Sequence, residues 1–118
     1  MDQNIKQRSR QLAAKVILLH KQLSARKKGN VMSEELLRCG AGVGASLVKS
    51  ECAMGRNDQT AKIYKALQDC VEAKYWLELL NEAGNLTEFE FSDTLNECSE
   101  MGKQLVAQIK SLGATAPK

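Results

Sequence analysis

TEFEFSDTLNECSEMGKQLVAQIKSLG, residues 87–113, decides the fold. Phe91, Leu95, Cys98, Gly102, Leu105, Ile109 and Leu112 recur at alternating steps of four and three, which draws one apolar stripe along an α-helix. Thr87 and Glu90 mark its start as a capping box, each side chain able to take the other residue's backbone amide. Gly113 stands just past the last apolar position, where a left-handed residue closes a helix. A helix over 88–112 is the expectation.

The same period recurs upstream. Ile5, Leu12, Val16, Leu19 and Leu23 form one stripe, Leu36, Gly40, Val43 and Leu47 a second, and Ile63, Leu67, Cys70 and Leu77 a third, interrupted by Lys74. Helices near 3–27, 33–53 and 58–83 follow. Gly29, Gly55 and Gly84 fall just beyond these stretches and are expected to be their left-handed stops, with Ser33 and either Asn57 or Asp58 as N-caps. A single proline, few aromatics and no Asn-Gly or Asp-Gly turn give hairpins no support. The length suits one domain, residues 1–118. Short connections favour antiparallel neighbours, so the predicted fold is an all-α, up-down-up-down four-helix bundle.

Composition excludes several classes. The longest apolar run, Val16-Ile17-Leu18-Leu19, is closed by His20 and Lys21, far short of a membrane span or a secretory signal, and the expected location is the cytoplasm. Cys39, Cys52, Cys70 and Cys98 form no Cys-x-x-Cys pair and are expected to be buried thiols in a reducing compartment. His20 is the only histidine, which removes Ser-His, Cys-His and paired-histidine sites, and a di-iron bundle needs Glu-x-x-His on two helices. No metal, cofactor or enzymatic activity is expected, and His20, off the main stripe, reads as solvated or at an interface. Gly40-Ala41-Gly42-Val43-Gly44-Ala45 lacks the last glycine of a dinucleotide fingerprint and any following Gly-Lys-Ser/Thr. Each interior helical glycine costs about 1 kcal/mol relative to alanine. Close approach by another helix, from this chain or a second copy, is the expected compensation.

Charge is distributed unevenly. The first 30 residues hold Lys6, Arg8, Arg10, Lys15, Lys21, Arg26, Lys27 and Lys28 against Asp2 alone, whereas the remainder is acidic in balance. At 100° per residue Arg10, Lys21 and Lys28 share one flank of the first helix, and Arg8, Lys15 and Arg26 the other. Two readings stand: solvation with pairing to the acidic third and fourth helices, whose carboxylates include Glu72, Glu90, Asp93 and Glu97, or a footprint for nucleic-acid phosphates. No aromatic residues interleave with the cations, so base stacking has little support. Ile17 and Leu18, with Tyr64, Val71 and Tyr75, widen the apolar faces beyond one small bundle's needs and point to self-association.

Leu36-Leu37-Arg38-Cys39-Gly40-Ala41-Gly42-Val43-Gly44-Ala45-Ser46, followed by Ala66-Leu67-Gln68-Asp69-Cys70-Val71-Glu72-Ala73-Lys74-Tyr75-Trp76-Leu77-Glu78-Leu79-Leu80, resembles the bacterial four-helix-bundle protein family. That family includes proteins encoded in intervening sequences of large-subunit ribosomal RNA genes and accessory proteins of diversity-generating retroelements. The likeness spans most of residues 33–112. It implies a four-helix protomer in a ring of five, with no established enzymatic activity, and for the retroelement members a nucleic-acid-binding partnership with a reverse transcriptase. The sequence departs from the pattern at Ser46, commonly Asn, and at Lys49, commonly acidic. Arg38, Asp69, Glu72, Tyr75 and Trp76 match the motif and are expected to be structural, as are Gly40 and Gly44. Arg38 is expected to be buried and paired with Glu72 or Asp69, so that its loss destabilises strongly.

The leading expectation is an oligomeric, non-enzymatic adaptor that binds RNA or DNA through Arg8, Arg10, Lys15, Lys21, Arg26, Lys27 and Lys28, beside a reverse transcriptase in one branch. The competing expectation is a protein-interaction scaffold with no nucleic-acid role.

Overall fold

The computed structural model describes residues 3–113 and folds them into four helices: α1 (Gln3–Ala25), α2 (Asn30–Ser50), α3 (Arg56–Glu82) and α4 (Glu88–Ser111). No strand occurs among the described residues. Contacts run cyclically, α1 to α2, α2 to α3, α3 to α4 and α4 back to α1, so each helix touches two neighbours. Neighbours are antiparallel: Lys6 at the start of α1 reaches Glu51 just past α2, and Arg8 and Arg26 reach Glu97 and Glu90 in reverse order along α4.

The stripes meet on the bundle axis. Leu12, Val16 and Leu23 of α1, Leu36 and Val43 of α2, Ile63, Leu77 and Leu80 of α3, and Met101, Leu105 and Ile109 of α4 are fully buried. Each such side chain contributes roughly 1.5–3 kcal/mol relative to exposure. The α4 stripe sits slightly off its expected centre: Thr94 and Met101 are buried, while Phe91, Leu95 and Leu112 are half-buried at its border. Lys74 is half-buried where it interrupts the α3 stripe.

Several helix ends differ from expectation, for identifiable reasons. Lys28 N–H donates to Leu23 C=O and Lys27 N–H to Ser24 C=O, a Schellman closure whose left-handed residue is Lys27 (φ 57°), not Gly29. Gly29 (φ 58°) is the N-cap of α2, and a Cβ there would lie 2.6 Å from Leu80 Cδ2. Gly84 (φ 75°) closes α3 in the expected manner, with Asn85 N–H on Leu80 C=O and Gly84 N–H on Asn81 C=O. Gly55 starts α3 instead of ending α2; its φ of 140° with ψ of 177° is glycine territory.

Because α2 and α3 begin earlier than predicted, Ser33 and Asp58 lie inside their first turns. Ser33 is buried and receives His20 Nδ1 at 2.8 Å while donating to Asn30 C=O. His20 is therefore half-buried and bonded between α1 and α2, not solvated. Asp58 accepts from Met54 N–H at 3.0 Å and from Lys62 at 2.7 Å. The Thr87–Glu90 capping box forms with both bonds present. Cys39, Cys70 and Cys98 are buried as expected, but Cys52 lies in the turn after α2 and is exposed.

Candidate nucleic-acid interface

The basic helix α1 meets its two neighbours differently. On the α4 side, Arg8 Nη2 donates to Glu97 Oε2 at 3.2 Å, Lys15 Nζ to Asp93 Oδ1 at 2.8 Å, and Arg26 Nη2 to both Glu90 oxygens at 3.0 and 3.1 Å. Glu97 is 8% exposed, and the buried Arg8 Nε finds no partner of its own, so packing holds this guanidinium. Burial opposes the Glu90 carboxylate, yet the Thr87 amide and Arg26 outweigh it and hold its pKa below the usual glutamate range. Arg8, Lys15 and Arg26, expected to meet phosphates, are thus engaged within the bundle. Glu90, Asp93 and Glu97 were readable as a set, since their spacing lines one edge of α4 beside its apolar stripe.

The other flank is unlike this. Arg10 and Lys21 are exposed on the side of α1 away from α4, and Lys27 and Lys28 are exposed in the turn that follows. Among the described residues none of the four has an ion-pair or hydrogen-bond partner for its side chain. Arg10 and Lys21 are separated by about 16 Å of helix axis. Lys6, the remaining cation of this region, pairs with Glu51 at 2.9 Å.

The motif residues of α2 and α3 form the bundle's tightest seam. A Cβ on Gly40 would fall 2.8 Å from Val16 Cγ2, one on Gly42 2.8 Å from Asp69 Oδ2, and one on Gly44 3.3 Å from Ser9 Oγ. The glycine run therefore admits α1 on one side and α3 on the other, both within this chain. Arg38 pairs with Glu72 as expected and also with Glu35 at 2.7 Å. It is 54% exposed, not buried, because it projects from the outer edge of the seam, and Asp69 is taken by Lys65 at 2.7 Å instead. Its removal should therefore cost little stability, contrary to the expectation from burial. Trp76 Nε1 donates to Glu72 Oε2 at 2.9 Å, which with Arg38 holds that carboxylate below its usual range. Beneath it, burial and the Glu72 charge push the Cys39 thiol up to about 12. Tyr75 is exposed and meets the Trp76 ring edge-on at 5.1 Å. No helix among the described residues is long and apolar enough to cross a membrane.

Comparison with known proteins agrees with this architecture. The sequence model described as 23S rRNA-intervening sequence protein matches residues 1–107. A crystal structure of a protein with unknown function from the S23 ribosomal protein family of Bacteroides thetaiotaomicron VPI-5482 is 34% identical and superposes with a TM-score of 0.87, covering 90% of this chain and 98% of that one. No curated protein matches the sequence. With the family model matched from the first residue to well inside α4, this chain belongs to the 23S rRNA-intervening sequence protein family.

Proposed function

We propose that the protein is a non-enzymatic, self-assembling accessory factor of the cytoplasm that binds RNA or DNA through the phosphate backbone. The observation that carries this reading is the unpaired flank of α1: Arg10, Lys21, Lys27 and Lys28 stand exposed without a carboxylate, while the opposite flank is fully engaged. Cations left unpaired on a folded surface replace condensed counterions when they meet phosphates, which makes binding steeply salt-dependent and weakly sequence-selective. Four such contacts give a slope near −3.6 in log K against log salt, hence a loss of roughly 100-fold between 50 and 200 mM. Fluorescence anisotropy with mixed-sequence single- and double-stranded RNA and DNA tests this. Failure to bind any of them at 50 mM salt would remove the reading in favour of a protein-interaction scaffold. A reverse transcriptase is the protein partner this reading suggests, and co-purification of the two measures it.

Self-assembly is supported by two apolar faces on opposite sides of the bundle. A groove of about 510 Å³ between α1 and α2 is lined by Ala13, Ala41, Gly44 and Ala45, with Arg10 at its rim. The outer face of α3 and α4 presents Tyr64, Val71 and Tyr75 with Val106. A contact between unlike faces is heterologous and forms a ring when its rotation closes, a pentamer in this reading. Light scattering should return five times the protomer mass, and a monomer at micromolar concentration would exclude the ring.

A further inference from the structure

We infer that the cleft between α2 and α3 is a binding site for a phosphate group that keeps a proton, carried either by inorganic phosphate or by a phosphate monoester. The cleft measures roughly 250 Å³ and lies on the flank of α2 opposite the α1 groove. Arg38, Lys49, Lys62 and Lys65 border it, and Asp69 is the single carboxylate in its lining. Ser46 also lines it and is about nine-tenths buried; its hydroxyl has no hydrogen-bond partner within the protein and reaches the solvent of the cleft. A hydroxyl held in place by its buried residue and unspent within the protein is free to donate to a ligand seated in the cleft.

The cations keep capacity for a ligand. Lys62 and Lys65 each spend one of three ammonium donors, on Asp58 and Asp69, and Lys49 spends none. The remaining carboxylates facing this edge, Glu35 and Glu72, are both held by Arg38. Asp69 is buried; Lys65 occupies its Oδ1, whereas Oδ2 accepts no hydrogen bond and lies beside Gly42, whose missing side chain leaves it open. A ligand seated here must offer acceptors to Ser46 and the lysines and one donor to Asp69 Oδ2. A phosphate with one proton offers both. Sulfate and a phosphodiester carry no proton and would set oxygen against oxygen at Asp69, so the nucleic-acid backbone proposed for α1 is refused here.

Amide chemical shifts of the full chain, titrated at pH 6.0 with sodium phosphate, methyl phosphate, sodium sulfate and dimethyl phosphate at matched ionic strength, test the inference. About half of a phosphate ester carries its proton near that pH. Phosphate or methyl phosphate should move Gly42, Ser46 and Lys49 saturably, and which binds tighter tells the free anion from the ester. Sulfate and dimethyl phosphate should leave these amides in place. Lys49→Gln, a change at an exposed and unpaired side chain, should weaken phosphate at least fivefold without altering the melting temperature, whereas Arg10→Glu with Lys21→Glu should leave phosphate binding intact. Sulfate matching phosphate, shifts abolished by the α1 pair, or no saturable shift up to 50 mM would each overturn the site, and none of these depends on whether α1 binds nucleic acid.

Discussion

One helix carries two basic flanks with opposite fates. Toward α4, α1 keeps its distance and spans the gap with Arg8, Lys15 and Arg26, each ending on a carboxylate. Toward α2 it is drawn close over Gly40 and Gly44, and the cations beyond that seam, Arg10 and Lys21, face solvent with no anion opposite. The glycine run of α2 explains part of the difference: where backbones nearly touch, small side chains fill the seam, and long charged ones are displaced outward. Identical residue types thus serve cohesion on one side and stand available on the other, and only the neighbouring helix distinguishes them.

The sharpest test exchanges the flanks. Arg10→Glu, Lys21→Glu and Lys28→Glu together should lower nucleic-acid affinity at 50 mM salt by at least about 100-fold and flatten the salt slope to near −0.9, with the urea midpoint hardly moved. Arg8→Glu, Lys15→Glu and Arg26→Glu together set like charges against Glu97, Asp93 and Glu90 and should cost at least about 2 kcal/mol of stability. In that second variant any loss of binding should track unfolding. If the two sets prove interchangeable in either assay, the contrast between the flanks is wrong.

That contrast was only half legible in the sequence. Periodicity located all four helices, because an apolar stripe is a property of one segment and its burial follows from chain connectivity. The two basic flanks were visible too, but whether a cation is spent depends on the face of a helix some 80 residues away, which the spacing within α1 cannot report. Arg38 failed for a related reason: its motif and its partner Glu72 were readable, but its exposure depends on how far along the seam the backbones diverge. Ser46 and Asp69 were noticed as motif positions, yet their shared cleft exists only once α2 and α3 are packed.

The close seam makes the next largest prediction. Gly40→Ala places a methyl 2.8 Å from Val16 Cγ2, and the branched valine cannot swing clear, so a loss of about 1–3 kcal/mol should outweigh the gain in helix propensity. Gly44→Ala meets only Ser9 Oγ at 3.3 Å, where a small shift suffices, and the propensity gain of about 1 kcal/mol should leave it neutral or stabilised. Urea melts of the two variants measure how tightly α1 is held against α2. Two variants that both keep or gain stability would mean that the seam is loose and that the outward displacement of Arg10 and Lys21 needs another cause.

The turn joining these helices gives a smaller effect of opposite sign. Lys27 adopts the left-handed conformation that Gly84 adopts at the equivalent point after α3, and a lysine there costs roughly 1 kcal/mol or more. Lys27→Gly should therefore raise stability by about 1 kcal/mol while reducing the salt slope by about 0.9, separating the strain at this position from its charge. Gly84→Ala, the reverse exchange, should lose a similar amount in thermal or urea melts.

The smallest effect belongs to a single ion pair on the engaged flank. Glu90 lies below the usual glutamate pKa in the folded protein, so its charge stabilises the fold fully above the unfolded value of about 4.3, and that contribution is lost as pH falls through the folded value. Glu90→Gln keeps the side-chain acceptor that the capping box requires and removes only the charge facing Arg26. The variant should be less stable than the parent by about 0.2–1 kcal/mol at pH 7, and the gap should close as urea melts are repeated down to pH 3. Lys21→Gln on the unpaired flank should open no such gap at either pH, since no carboxylate titrates against it. A pH-dependent gap for Lys21→Gln would mean that this flank is also spent.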